Sequence, residues 1–169
     1  MAVYIALGAN LGDRRANLIA ALDAMPPLVR VRALSALYES PPQPPAPPPP
    51  YLNAVARVET DLEPEPLLTY LKHIERDLGR ELTERWAPRV IDLDIALYDD
   101  RVYVSDALQI PHARLGERAF VLRPLLDLDP KLVHSVTGER LDAMLGRVGE
   151  EELSRLEESG WHAPRTHRP

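Results

Sequence analysis

The alternation of apolar and polar positions divides the chain into six elements before any chemistry is considered. Residues 3–7 (VYIAL) form a short apolar run with β-branched and aromatic members, the pattern of a buried strand, and Gly8-Ala9-Asn10 closes it. Asp13 is placed to cap a helix over 14–25, in which Leu18, Ala21, Leu22 and Met25 recur at helical spacing; Pro26-Pro27 stop it. Residues 29–39 and 53–60 alternate and predict strands. Residues 64–78 predict a second amphipathic helix with Leu67, Leu68, Leu71, Ile74 and Leu78 on one face, ended by Gly79. Residues 90–98 (VIDLDIALY) predict the next strand, with Asp99-Asp100 as a turn and 102–104 returning as a hairpin.

The order β-α-β-β-α-β is the split βαβ, or ferredoxin-like, pattern. It predicts an α+β fold: an antiparallel sheet with helices on one face, followed by added strands and a C-terminal helical segment. Beyond the core, 119–128 predicts a short helix and 141–156 a terminal helical segment. From Gly160 the composition is poor in core formers. The expectation is one domain over 1–159 and a loose tail over 160–169. One segment does not fit the alternation: residues 40–50 (SPPQPPAPPPP) carry eight prolines in eleven positions, between two strands of the same predicted domain. A polyproline-type surface linker, a functional lid and a tethered PxxP ligand are the open readings.

Composition narrows the classes. At 169 residues the chain is long enough for a real core. A net charge of -6 argues against nonspecific nucleic-acid binding, which needs a basic surface. The absence of cysteine rules out disulfides and thiolate metal sites. No apolar run approaches the ~18 residues of a spanning helix. The expectation is a cytoplasmic monomer without a nucleic-acid or membrane partner.

The candidate chemistry sits in 85–94. On a strand, Asp92 and Asp94 point to one face, with Ile91, Leu93 and Ile95 on the other. Two carboxylates side by side repel unless a cation lies between them. Hard oxygen ligands suit Mg²⁺, which takes one or two carboxylates and fills its shell with phosphate oxygens. An isolated D-x-D is more often a solvated strand face, but here Arg85 and Arg89 flank Trp86, and Pro88 stiffens the loop. Guanidinium forks match phosphate oxygens, and a flat aromatic in a polar loop can cover a planar ligand. Ion pairs with Glu81 and Glu84 are the plain alternative for those arginines. His112, between Pro111 and Arg114 and near Arg118, could donate to a phosphate oxygen. No P-loop, dinucleotide fingerprint or protein-kinase set is present.

The segments YIALGANLG (4–12), LYESPP (37–42), YLNA (51–54), IE (74–75), GR (79–80), RWAPRVIDLDI (85–95), IPH (110–112) and ERAFVL (117–122) appear in this order. With them the chain resembles the 6-hydroxymethyl-7,8-dihydropterin pyrophosphokinases of folate synthesis, over roughly 3–133. The resemblance implies a ferredoxin-like fold and transfer of the β,γ-pyrophosphate of ATP to the pterin hydroxymethyl oxygen, with AMP released and two Mg²⁺ ions on the triphosphate. It implies that Asp92 and Asp94 hold both ions and that Arg85, Arg89, His112 and Arg118 contact phosphates. Glu75, Trp86 and the backbone near Ile95, Leu108 and Gln109 would frame the nucleotide. Tyr51, Asn53, Trp86 and Phe120 would hold the pterin, with further contacts from Ser40, Pro41 and Pro42. Two departures stand out: 43–50 is richer in proline than the family pattern, and Lys72 stands where glutamine is expected. A non-catalytic ferredoxin-like module (a sensor or an RNA-binding domain) and a kinase moving only the γ-phosphate are the competing readings.

Overall fold

The computed structural model describes residues 2–42, 49–79, 90–158 and 160–162. Its elements are β1 (Val3–Ala9), α1 (Arg14–Ala24), β2 (Val29–Leu34), β3 (Leu37–Ser40), β4 (Tyr51–Thr60), α2 (Pro64–Asp77), β5 (Asp92–Tyr98), β6 (Tyr103–Val104), β7 (Gln109–Ile110), α3 (Ala119–Leu128), α4 (Leu141–Val148) and β8 (Ser154–Glu157), with a 3₁₀ turn at Leu115–Glu117. The main sheet runs β5-β1-β4-β3-β8, with β2 also paired to β4. Every pairing is antiparallel. β5, β1, β4 and the β2–β3 edge reproduce the ferredoxin-like arrangement that the element order implies.

Asp13 caps α1 as its spacing predicts, its carboxylate accepting from the Ala16 N–H at 3.1 Å. The strand expected over 29–39 is broken. Ser35 interrupts it between β2 and β3, and its hydroxyl accepts from the Val55 N–H at 2.9 Å while its own N–H donates to the Val55 carbonyl at 2.9 Å. The serine thus keeps both backbone groups of Val55 paired across the kink.

Helices cover both faces, where one was expected. Leu18, Ala21 and Leu22 of α1 and Leu67, Leu71 and Ile74 of α2 pack on Val3, Ile5, Leu7, Ala54, Ala56, Val58, Leu93 and Ile95. On the opposite face α3 and α4 pack on Tyr4, Val55, Ala96 and Leu97. These apolar residues at alternate strand positions require a second cover, as a two-sided buried strand does. A register shift between Tyr4 and Ile5, opposite Ala96, lets Ala96 and Leu97 both serve this second layer.

Two further expectations are corrected. The expected hairpin over 102–104 does not return to β5; β6 pairs with β7 in its own small sheet. The helix expected over 141–156 stops at Val148, where Gly149 takes φ +82°, and Ser154–Glu157 is instead a strand on β3. Near the C-terminal end of the described residues, Trp161 is buried and its Nε1–H donates to the Ser35 carbonyl at 2.8 Å. Among the described residues, no helix is long and apolar enough to cross a membrane.

Candidate functional site

β1 carries the register that assembles the site. Gly8 stands opposite Asp92 on β5 and opposite Asn53 on β4; Ala6 stands opposite Asp94 and Val55. Asp92, Gly8 and Asn53 therefore form one row across three strands, on the face that bears α3 and α4. Those helices cover Tyr4, Val55, Ala96 and Leu97, and the row lies further along the same face. Gly8 leaves a trough in that row. A Cβ built there would lie 3.5 Å from Tyr51 Cδ1 and 3.6 Å from Asn53 Oδ1.

The amide side of the trough is fixed from beneath. Asn53 is buried, and its Nδ2 donates to Ser40 Oγ at 2.8 Å, with a longer contact to the Tyr51 carbonyl at 3.4 Å. Its orientation is thereby set, with Oδ1 beside Gly8. Ser40 ends β3, and Pro41 and Pro42 follow it half-buried at the start of the proline-rich segment. The far end of that segment is tied to the α1 region: Asn10 Nδ2 donates to the Pro49 carbonyl at 3.3 Å, and Arg14 donates to the Pro50 carbonyl at 3.0 Å while pairing with Glu39 at 2.8 Å. Neither Asn10 nor Arg14 was singled out by sequence, because their partners are backbone carbonyls about forty residues away.

The carboxylate side is shaped by α2. β5 is the sheet edge, so the outward N–H and C=O of Leu93 need partners. The Leu93 N–H donates to Glu75 Oε1 at 2.7 Å, and Lys72 Nζ donates to the Leu93 carbonyl at 2.9 Å. Lys72 also donates to Glu75 Oε1 at 3.0 Å and lies 3.8 Å from Asp94 Oδ1. Glu75, expected at the nucleotide, is nearly fully buried and holds the backbone between the two aspartates.

Above Asp94 stands His112. Its N–H donates to the Ala96 carbonyl at 3.0 Å, at the bulge of β5. Its Nδ1 accepts from the Arg114 N–H at 3.2 Å, which in the neutral ring leaves the proton on Nε2. Burial pushes the His112 pKa down; Asp94 and Asp92 pull the other way, while Arg118 and Arg114 reinforce the drop. Burial likewise lowers the Arg118 pKa, with Arg114 adding to it and Asp94 and Asp92 opposing. As a guanidinium, Arg118 stays charged. Its Cζ lies 5.6 Å from the Phe120 ring centre. Asp92, Asp94, His112, Arg118 and Phe120 are thus brought together. The side chain of Ile95 is buried in the core on the α1–α2 side, so only its backbone could reach a ligand. Leu108 precedes β7 and Gln109 opens it, shortly before His112. Arg85, Trp86 and Arg89, with Arg80, lie outside the described residues.

The donor set fits Mg²⁺ in the shared manner. Among the described residues no group of three or more His, Asp or Glu could hold a metal by itself. Asp92 and Asp94, half-buried on one strand face, supply two hard oxygen donors, and a polyphosphate would supply the rest.

Fold and site together define an α+β protein of ferredoxin-like topology, with a carboxylate pair, a neutral histidine and an arginine on one face of its sheet. The chain belongs to the 7,8-dihydro-6-hydroxymethylpterin-pyrophosphokinase family, whose model matches residues 4–130. It is 42% identical over 156 residues to a 2-amino-4-hydroxy-6-hydroxymethyldihydropteridine pyrophosphokinase of Pseudomonas aeruginosa, covering 91% of this chain and 96% of that protein. It is also 42% identical over 153 residues to a folic acid synthesis protein of Pneumocystis carinii, where the match covers 90% of this chain and 21% of the relative. The chain thus spans about a fifth of the length of that relative and of similar ones from Schizosaccharomyces pombe and Dictyostelium discoideum. Among solved structures, Plasmodium falciparum HPPK-DHPS with pteroate superposes with a TM-score of 0.73 at 14% identity, covering 91% of this chain and 47% of that one. That likeness concerns the fold.

Proposed function

We propose that this chain transfers pyrophosphate from ATP to 6-hydroxymethyl-7,8-dihydropterin, giving AMP and the pterin diphosphate. The observation that carries the reading is the row Asp92–Gly8–Asn53. It joins a carboxylate pair suited to a metal-bound polyphosphate to an oriented amide suited to the edge of a flat heterocycle, across a trough without a side chain. The close bacterial relatives bear the corresponding name.

In this reading Tyr51, Phe120 and Trp86 hold the pterin ring by its faces and Asn53 reads its edge, with Ser40, Pro41 and Pro42 beside it. Arg85, Arg89, His112 and Arg118 hold the phosphates. His112, neutral and protonated at Nε2, donates to a phosphate oxygen. Asp92 and Asp94 would hold two Mg²⁺ ions, which supply neutralisation of charge on the triphosphate. The pterin hydroxyl oxygen forms a bond to the β-phosphorus, the bond from that phosphorus to the α,β-bridging oxygen breaks, AMP leaves and the hydroxyl proton passes to water. The chain's work is positioning and electrostatic stabilisation, with no protein nucleophile. Glu75 and the backbone at Ile95, Leu108 and Gln109 frame the nucleotide, Glu75 through the strand it holds. A monomeric state and a cytoplasmic setting, without nucleic-acid or membrane partners, complete the proposal.

The test is incubation with ATP, Mg²⁺ and the reduced hydroxymethyl pterin, followed by nucleotide analysis. AMP formed in step with pterin diphosphate supports the reading. ADP in place of AMP would mean γ-phosphate transfer, and no nucleotide turnover would leave a binding module. Asp94→Ala is expected to lower kcat at least about a hundredfold, the scale of losing a principal electrostatic group, with the fold retained by circular dichroism.

A further inference from the structure

Lys72 and Glu75 lie three apart on α2, so both side chains reach the same edge of β5. There they close a clasp: the Leu93 N–H donates to Glu75, Lys72 donates to the same Glu75 oxygen and to the Leu93 carbonyl. Leu93 is the residue between the two aspartates. The clasp therefore fixes the strand on which both carboxylates ride, and it also fixes a positive charge. The ammonium cannot swing away without leaving the Leu93 carbonyl, so it is held 3.8 Å from Asp94 Oδ1.

We propose that Lys72 is a positioning residue that sets the divalent-cation affinity of the Asp92–Asp94 pair, its clasped ammonium partly neutralising Asp94 before metal and nucleotide arrive. The proposal rests on the reading of Asp92 and Asp94 as metal ligands. A divalent ion arriving at Asp94 meets a cation already there, and the two repel. Lys72 and Asp94 are each about one-third exposed, with side-chain exposures of 35% and 39%, so the effect is that of a screened ion pair. Removing the charge is expected to tighten divalent binding about two- to fivefold, the range that partly exposed pairs deliver. The neutral amide of a glutamine could still donate to the Leu93 carbonyl, so the charge can be separated from the hydrogen bond.

The experiment is Mn²⁺ titration followed by electron paramagnetic resonance, on the protein saturated with α,β-methylene ATP, whose α,β bridge cannot be cleaved by the proposed transfer. Lys72→Gln and Lys72→Met are expected to bind Mn²⁺ about two- to fivefold tighter than the parent. Lys72→Arg, which keeps the charge, is expected to stay close to the parent. Two neutral variants are used so that a folding defect in one, seen by circular dichroism, leaves the other to decide. Unchanged or weaker Mn²⁺ binding in the folded neutral variants overturns the proposal. Asp94→Asn separates the two levels. If it weakens Mn²⁺ binding while the lysine variants do not tighten it, only the role of Lys72 fails; if it leaves binding unchanged, the metal reading fails and the proposal with it.

Discussion

At the scale of single residues, the smallest side chain in the site has the sharpest consequence. Gly8 has an ordinary strand conformation, so its place in the row reflects space and not backbone strain. A Cβ there would make only van der Waals contacts at 3.5 and 3.6 Å, which a sheet tolerates. Gly8→Val is therefore expected to fold, with a thermal midpoint within about 4 °C of the parent, yet to fill the trough between Asp92 and Asn53. Calorimetry should show pterin binding weakened at least about tenfold, the cost of losing a well-fitted contact region; unchanged binding would place the pterin elsewhere. His112 yields a prediction of a different kind. Its folded pKa is depressed by burial below the unfolded value of 6.5, so the unfolded chain takes up the proton first as pH falls. Its contribution to stability is complete above about pH 6.5 and is lost as pH falls from there through the folded pKa. Replacing it by glutamine should make the thermal midpoint less sensitive to acidification between about pH 7 and pH 5; an equal drop in both proteins would remove His112 as a source of acid sensitivity.

At the scale of elements, the legible parts are those whose pattern is local. The runs at 3–7 and 90–98, the helical spacing at 14–25 and 64–78, and the cap at Asp13 all follow from neighbours in sequence, and the structure contains each within a few residues. The same period-two rule put Asp92 and Asp94 on one face. What was not legible depends on partners far away in the chain. Ser35 breaks a well-alternating strand because its hydroxyl and carbonyl serve Val55 and Trp161. All four residues of β8 (SRLE) are exposed, so no apolar alternation marks it, and it is placed by ladder pairing with β3, far away in the chain. Gly8 escaped for the same reason, because its importance lies in cross-strand register; Lys72 stood out only as a departure from the family pattern, and its place at the free edge of β5 was not legible. Trp161 tests this view of the kink. It is the buried plug under Ser35, and Arg15 also donates to its carbonyl at 3.0 Å. Trp161→Ala should cost about 3–5 kcal/mol, as for other buried aromatic truncations, measured by urea unfolding. Trp161→Phe should recover most of it, short of about 1 kcal/mol for the lost hydrogen bond. A loss below about 0.5 kcal/mol for the alanine variant, ordinary for a surface position, would return this segment to the loose tail that composition suggests.

At the scale of the whole molecule, the question is whether the site and the fold depend on each other. The two apolar layers pack on opposite faces of one sheet, and neither cluster includes Asp92 or Asp94. The backbone between the aspartates is held by Glu75 and Lys72, through protein hydrogen bonds. Lys72 and Arg118 already balance part of the local negative charge, Lys72 by an ion pair and Arg118 through its electrostatic reach to Asp94 and Asp92. A protein whose metal completes its core unfolds on chelation, because binding and folding share one free energy. Here the metal would be shared with substrate phosphates and come and go with them. Excess EDTA is therefore expected to abolish AMP formation while shifting the thermal midpoint by less than about 2 °C, the scale of about 0.5–1 kcal/mol for a chain of this size. Mg²⁺ with α,β-methylene ATP should then raise the midpoint, because ligand binding stabilises the folded state by mass action, whereas Mg²⁺ alone at the same concentration should raise it far less. A large drop with EDTA would mean that the metal is part of the fold, and a full rise with Mg²⁺ alone would mean that the carboxylates hold it without phosphate.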